Sequence, residues 1–140
     1  MVRPYQRIDT TADVGLVSAG TTLKDVFVNM AKGLFSLMTP LPRIRKTVSQ
    51  RVRIHNGSKE DLLIAWLNEL IFIFDTRYLL FRYFDITCLE EGELEAVCSG
   101  EPIDPKRHIL KLEVKAATYH QISVQMDASG IWHARVILDV

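Results

Sequence analysis

Four oxygen-bearing groups in this sequence stand where carboxylate chemistry can occur. Asp9 and Asp13 flank a short Thr-Thr-Ala segment near the start, and at the far end Asp139 precedes Val140, whose main-chain carboxylate ends the chain. A strand finishing on Asp139 and a free carboxylate delivers two negative groups to one spot. Bare carboxylates repel, and crowding them costs stability unless something neutralises them. Oxygen donors of this kind suit a hard cation, Ca²⁺ or Mg²⁺, rather than Zn²⁺. Spacing alone leaves alternatives open: the two ends need not meet, and an Asp in a turn often serves only as an Asx turn or cap.

Other constellations are missing from the sequence. It holds no G-x-S-x-G, no phosphate-binding glycine loop, no H-E-x-x-H and no zinc-spaced Cys/His set. His55, His108, His120 and His133 are scattered through expected strands and loops, where structural or solvent-facing roles suffice. His120 draws most interest, because it follows Lys115, Thr118 and Tyr119 on an expected central strand. Cys88 and Cys98 lack C-x-x-C spacing and read as small hydrophobes on neighbouring strands of one hairpin.

These side chains need elements to position them. Residues 5–8 and 14–18 read as short strands. Thr22 has N-cap character with Asp25 three residues on. Leu23, Val26, Phe27, Met30, Ala31, Leu34, Phe35 and Met38 then mark one face of a helix that stops before Pro40 and Pro42. Residues 47–55 alternate as a strand, with Val48, Val52 and Ile54 inward and Arg51 and Arg53 outward. Ser58, with Asp61, caps a second helix whose apolar positions cover more than half its surface, so it is expected to be the more deeply buried of the two. Strands follow at 79–89 and 94–99 around Glu91-Gly92, at 109–115, and in a last hairpin, 119–126 with 131–138. This order predicts an α+β fold, a two-layer sandwich of mostly antiparallel sheet covered by two amphipathic helices.

The 140 residues fit a single domain, 1–140. Seventeen basic residues balance 17 acidic ones, which argues against a dedicated nucleic-acid binder. Charge is uneven, though. Residues 43–53 carry Arg43, Arg45, Lys46, Arg51 and Arg53 with no acid, while Glu90, Glu91, Glu93 and Glu95 cluster later. These are either two solvated edges of opposite sign or a docking surface for RNA or an acidic protein. No signal-peptide pattern opens the chain and no apolar run is long enough to span a bilayer, so no membrane role and a cytoplasmic location are expected.

Several segments, in order and over essentially the whole chain, resemble the archease family. Thr10-Thr11-Ala12-Asp13-Val14-Gly15 is similar to its His-Thr-Ala-Asp-Ile/Val-Gly opening. Leu62-Leu63-Ile64-Ala65-Trp66-Leu67-Asn68-Glu69-Leu70 is similar to its Leu-Leu-x-x-Trp-Leu-Asn-Glu-Leu helix. Gly100-Glu101 with His108, then Lys115-Ala116-Ala117-Thr118-Tyr119-His120, and finally Ala134-Arg135-Val136-Ile137-Leu138-Asp139-Val140 match further stretches. One departure stands out: Thr10 occupies the place of the family's His.

The resemblance implies a non-enzymatic cofactor of the GTP-dependent RNA ligase that joins 2′,3′-cyclic-phosphate or 3′-phosphate ends to 5′-hydroxyl ends, in tRNA splicing or RNA repair. Such a cofactor promotes guanylylation and multiple turnover of the ligase. The same resemblance implies a divalent hard cation, Ca²⁺ in the first instance and Mg²⁺ as the alternative, held by Asp13, Asp139 and Val140. Lys115, His120 and Asp9 are candidate contacts to phosphate or partner. Modulation of a tRNA methyltransferase, and a stand-alone metal-dependent phosphoesterase, are the alternative readings.

Overall fold

The computed structural model describes residues 2–10 and 13–140. Thr11 and Ala12 of the opening motif, and Met1, lie outside the described residues. Among the described residues, seven strands and two α-helices run in the order β1 (Tyr5–Asp9), β2 (Val14–Gly20), α1 (Leu23–Met38), β3 (Val48–His55), α2 (Lys59–Arg77), β4 (Leu79–Glu90), β5 (Glu93–Pro102), β6 (Ala116–Met126) and β7 (Trp132–Asp139). The strands form two sheets, ordered β1-β2-β7-β6 and β3-β5-β4. Every pairing is antiparallel, and the expected α+β class with two helices on antiparallel sheets is what the chain forms.

Local signals set the helix ends. Thr22 accepts a hydrogen bond from the Asp25 backbone N–H at the start of α1. Ser58 and Asp61 form a reciprocal capping box on α2, satisfying donors that the first turn leaves unpaired. Tyr78 ends α2 in the left-handed region, φ 57°.

The relative burial of the helices reverses expectation. α1 buries nine of its 16 residues and α2 eight of its 19, because α1 packs on β1, β2 and β7 of one sheet and on β4 of the other. Its close approach to β2 needs Gly33, where a Cβ would stand 2.9 Å from a Leu16 methyl. The Trp66 indole donates to the Phe27 carbonyl at 3.1 Å and locks the helices together. Phe72 of α2, by contrast, is exposed.

Three further expectations change. Residues 109–115 are not a strand: among the described residues no sheet pairing includes them, and their backbone donates singly from Lys111 to the Met38 carbonyl and from Lys115 to the Asp139 carbonyl at the end of β7. Val114 is buried, yet Leu110, expected to share its face, is exposed. Val48, at the first position of β3, is exposed although Val52 and Ile54 are buried. The strand bearing His120 is β6, an edge of its sheet rather than its centre.

Candidate functional site

Sheet register brings the chain's two ends together. Val14 at the start of β2 stands opposite Leu138 of β7, and Asp139 stands opposite Ala116 of β6. One residue before Val14, Asp13 is therefore level with Asp139, and paired positions in an antiparallel sheet present their side chains on one face. The Lys115 backbone N–H donates to the Asp139 carbonyl at 2.7 Å. Asp13, Asp139, Val140 and Lys115 thus gather at one corner of the four-stranded sheet, all exposed.

Thr10 has a visible task here. Its backbone N–H donates to the Asp13 carbonyl at 3.1 Å, and its hydroxyl accepts from the Asp13 N–H at 3.2 Å. The turn carrying Asp13 is thereby closed by a threonine hydroxyl. Asp9, on the neighbouring strand, is drawn along β1 by Arg7, Nε to Oδ1 2.8 Å. Among the described residues, neither Asp13 nor Asp139 has an ion-pair partner. Two carboxylates without an ion-pair partner at one sheet corner make a hard-oxygen donor set, of the kind that suits Ca²⁺ or Mg²⁺.

The family-like helix motif supports this corner from behind. Asn68 of α2 grips the β6 backbone at Ala117, accepting its N–H at 2.8 Å and donating to its carbonyl at 3.2 Å. The Thr118 hydroxyl donates to the Ile137 carbonyl at 2.9 Å, fastening β6 to β7. Tyr119 donates its phenolic O–H to Asp61 at 2.8 Å. Hydrogen bonds from the Ser58 backbone and from Tyr119 hold the Asp61 carboxyl below its ordinary range, and the same bond pushes Tyr119 up.

His120 is not delivered to the carboxylates. It lies exposed where the β6–β7 ladder breaks between Thr118 and Ser123, beside Gln121 at φ 55°. At ~3.3 Å per residue it is roughly 13 Å along β6 from Ala116.

A second polar cluster is structural. Glu101, buried, accepts from the Arg45 backbone N–H, from Arg107 at 2.6 and 3.2 Å, and lies 3.3 Å from His108 Nε2. The Arg107 guanidinium holds the Glu101 carboxyl down at about 2. The His108 Nδ1 accepts from the Asp104 N–H at 2.9 Å, so its proton sits on Nε2, facing Glu101 and the Arg43 carbonyl. This network ties the 3₁₀ turn Leu41–Arg43 to the loop after β5.

The charged stretches meet each other. Arg53 pairs with Glu95 at 2.6 Å, and His55 lies 3.5 Å from Glu93 across the β3–β5 ladder. The two cysteines sit on β4 and β5 as expected, with Cys98 buried and its thiol pushed up to about 12 by that burial. Sequence spacing missed one grouping: Cys88, Glu90 and Glu93 offer ligand atoms within 4.8 Å of one another at the β4–β5 turn. Its acids are exposed and follow from the Glu-rich hairpin, so it is assigned no metal.

Among the described residues, no helix is long and apolar enough to cross a membrane. The model of the archease protein family matches residues 5–140. The archease of Methanosarcina acetivorans is 33% identical, with 99% of this chain and 97% of that one covered. That of Methanothermobacter thermautotrophicus is 35% identical, covering 99% of this chain and 100% of its own. The solution structure of Methanobacterium thermoautotrophicum protein 1598 is similar at a TM-score of 0.82 and 35% identity, over 98% of this chain and 99% of that one. A crystal structure from Thermotoga maritima, described as an archease and possible chaperone, shares the fold at a TM-score of 0.65 and 19% identity, over 100% and 98% of the two chains.

Proposed function

Because the chain belongs to the archease family, we propose that it is a non-catalytic, cation-bearing activator of the GTP-dependent RNA ligase that joins 2′,3′-cyclic-phosphate or 3′-phosphate ends to 5′-hydroxyl ends, acting in the cytoplasm. The observation that carries this reading is the register that sets Asp13 level with Asp139, with Val140 and Lys115 at the same sheet corner.

Asp13, Asp139 and Val140 are the residues to hold the cation. When bound, it supplies concentrated positive charge against phosphate oxygens. The chain's own part is positional. Thr10 closes the turn under Asp13, and Asn68 fixes the strand opposite Asp139. Lys115 then offers an exposed ammonium to a phosphate or to an acidic ligase residue. Asp9, already neutralised by Arg7, and His120, further along the sheet edge, flank the docking face. This corner acts on the ligase, promoting guanylylation and release for another round, rather than on RNA alone.

Ligation under multiple-turnover conditions tests it. With excess RNA ends, wild-type protein carries the ligase through many rounds, while Asp13→Ala or Asp139→Ala leaves it near one round and Lys115→Ala gives an intermediate result. Full stimulation by both Asp variants contradicts the proposal. So does hydrolysis of phosphate esters by the protein with Mg²⁺ or Mn²⁺ and no ligase, which would assign the carboxylates to a phosphoesterase.

A further inference from the structure

At the other end of the four-stranded sheet from the carboxylate corner, a cleft of about 800 Å³ opens near the start of β1. Its size falls within the range of small-molecule sites, ~300–1,000 Å³. Lys32 from α1, Lys46 from the loop before β3 and Arg82 from β4 line it, with Asp85 its one carboxylate. None of these three cations is ion-paired among the described residues. In a chain of zero formal charge, that is a local positive excess at a concave surface, where field lines concentrate.

The cleft also holds an aromatic platform. Tyr83, 37% exposed, has Lys46 Nζ 5.4 Å and Arg82 Cζ 5.3 Å from its ring centroid. A break in the β4–β5 register between Phe81 and Tyr83 produces this arrangement. The break turns Phe81 fully into the core while Arg82 and Tyr83, although consecutive, both line the cleft. Bulges re-aim side chains in this way. Beside the ring, Ser49 and Ser99 share a hydrogen bond of 2.8 Å. Asn29 donates its amide N–H to the Ala19 carbonyl, leaving its oxygen as an acceptor on the cleft wall.

Two cations over an aromatic ring, a third cation nearby and one carboxylate acceptor match a ligand that is flat at one end and multiply anionic at the other, the ring face opening to the flat end as the cations turn to the anionic one. We infer that this cleft binds a nucleotide, its base stacked on Tyr83 and its phosphates met by Lys32, Lys46 and Arg82. Asp85 is placed to accept from a base amino group or a ribose hydroxyl. This site goes beyond the ligase-activator reading and does not rest on it: the residues belong to other elements than Asp13, Asp139 and Lys115.

Amide-resolved NMR titration of the full chain tests it, with ATP, GTP, adenosine, inorganic tripolyphosphate and a 5′-phosphorylated trinucleotide as probes. Shifts centred on residues 82–85, Lys46 and Ser99, with a nucleotide bound ~10-fold or more tightly than adenosine or tripolyphosphate, are expected. Tyr83→Ala and Lys46→Ala should each weaken binding by about fivefold or more, the loss of a base stack alone being of that order. Both side chains reach the surface, so the variants are expected to melt as wild type does. Should one fail to fold, the other still decides. A mononucleotide bound as well as the trinucleotide assigns a free nucleotide; a trinucleotide bound when the mononucleotide is not assigns an RNA end. Equal affinity for tripolyphosphate, shifts outside the cleft, or unchanged affinity in the folded variants overturns the inference.

Discussion

Asn68 holds Ala117 by both backbone groups, its side-chain oxygen 2.8 Å from the Ala117 nitrogen and its side-chain nitrogen 3.2 Å from the Ala117 oxygen. An amide side chain here acts as a missing strand. β6 is the edge of its sheet, so these Ala117 groups would otherwise have only water. The contact fixes the strand next to Ala116, which faces Asp139. Asn68→Ala should therefore cost about 1–3 kcal/mol, as expected when partly buried backbone groups lose their partners. Denaturant melts read the cost, and faster hydrogen exchange at Ala117 localises it. An unchanged exchange rate would mean that β6 is held by β7 alone.

Glu101 makes stability depend on acid. Its carboxyl is lowered from an ordinary 4.5 to about 2 by Arg107 and by the Arg45 backbone N–H. A carboxyl that titrates lower in the folded chain contributes its full stabilisation above pH ~4.5 and loses it as pH falls through about 2. Glu101→Gln should flatten the acid limb of the pH–stability curve between those values and destabilise the chain at neutral pH by roughly 1–3 kcal/mol, since Arg107 is left unpaired. Thermal melts across pH check both effects.

Gly100 precedes that glutamate, and any side chain there meets backbone. A Cβ on Gly100 would collide with the Leu80 carbonyl oxygen on β4, and backbone cannot step aside as a flexible side chain can. Gly100→Ala should separate β4 from β5 locally, at a cost of about 3 kcal/mol or more. Soluble yield and melting temperature report it.

Asp61 serves two elements, capping α2 with Ser58 and accepting from Tyr119 of β6. Ser58→Ala should cost about 1 kcal/mol, the ordinary worth of an N-cap. Asp61→Ala should cost more than Ser58→Ala and Tyr119→Phe less than Asp61→Ala, because only the carboxylate is shared. A Tyr119→Phe variant that melts as wild type does, with Asp61→Ala no worse than Ser58→Ala, would show that the β6 contact contributes nothing.

How far the sequence could be read follows from the range of each interaction. Thr22, Ser58 and the Glu91-Gly92 turn are local signals, and the helix starts and the β4–β5 hairpin formed where they indicate. The alternation of residues 109–115 was also local, but a strand needs a neighbour, and their backbone donors go instead to the Met38 and Asp139 carbonyls. α1 became the more buried helix because two sheets cover it, which no helical periodicity can report. The pairing of Val14 with Leu138 joins residues nearly the whole chain apart; spacing left it open, and only the family resemblance pointed to it. The role of Thr10 as an acceptor for the Asp13 N–H and the cross-strand neutralisation of Arg53 by Glu95 likewise depend on geometry that the sequence does not carry.

A cation held at the Asp13–Asp139 corner is the central claim, and calorimetric titration with Ca²⁺ at neutral pH measures it most directly. One site per wild-type chain is predicted, weakened about tenfold or more by Asp13→Asn and by Asp139→Asn, each removing one charged ligand, with melting of the calcium-free variants close to wild type. No binding to the wild-type chain, or wild-type affinity in both variants, would contradict it.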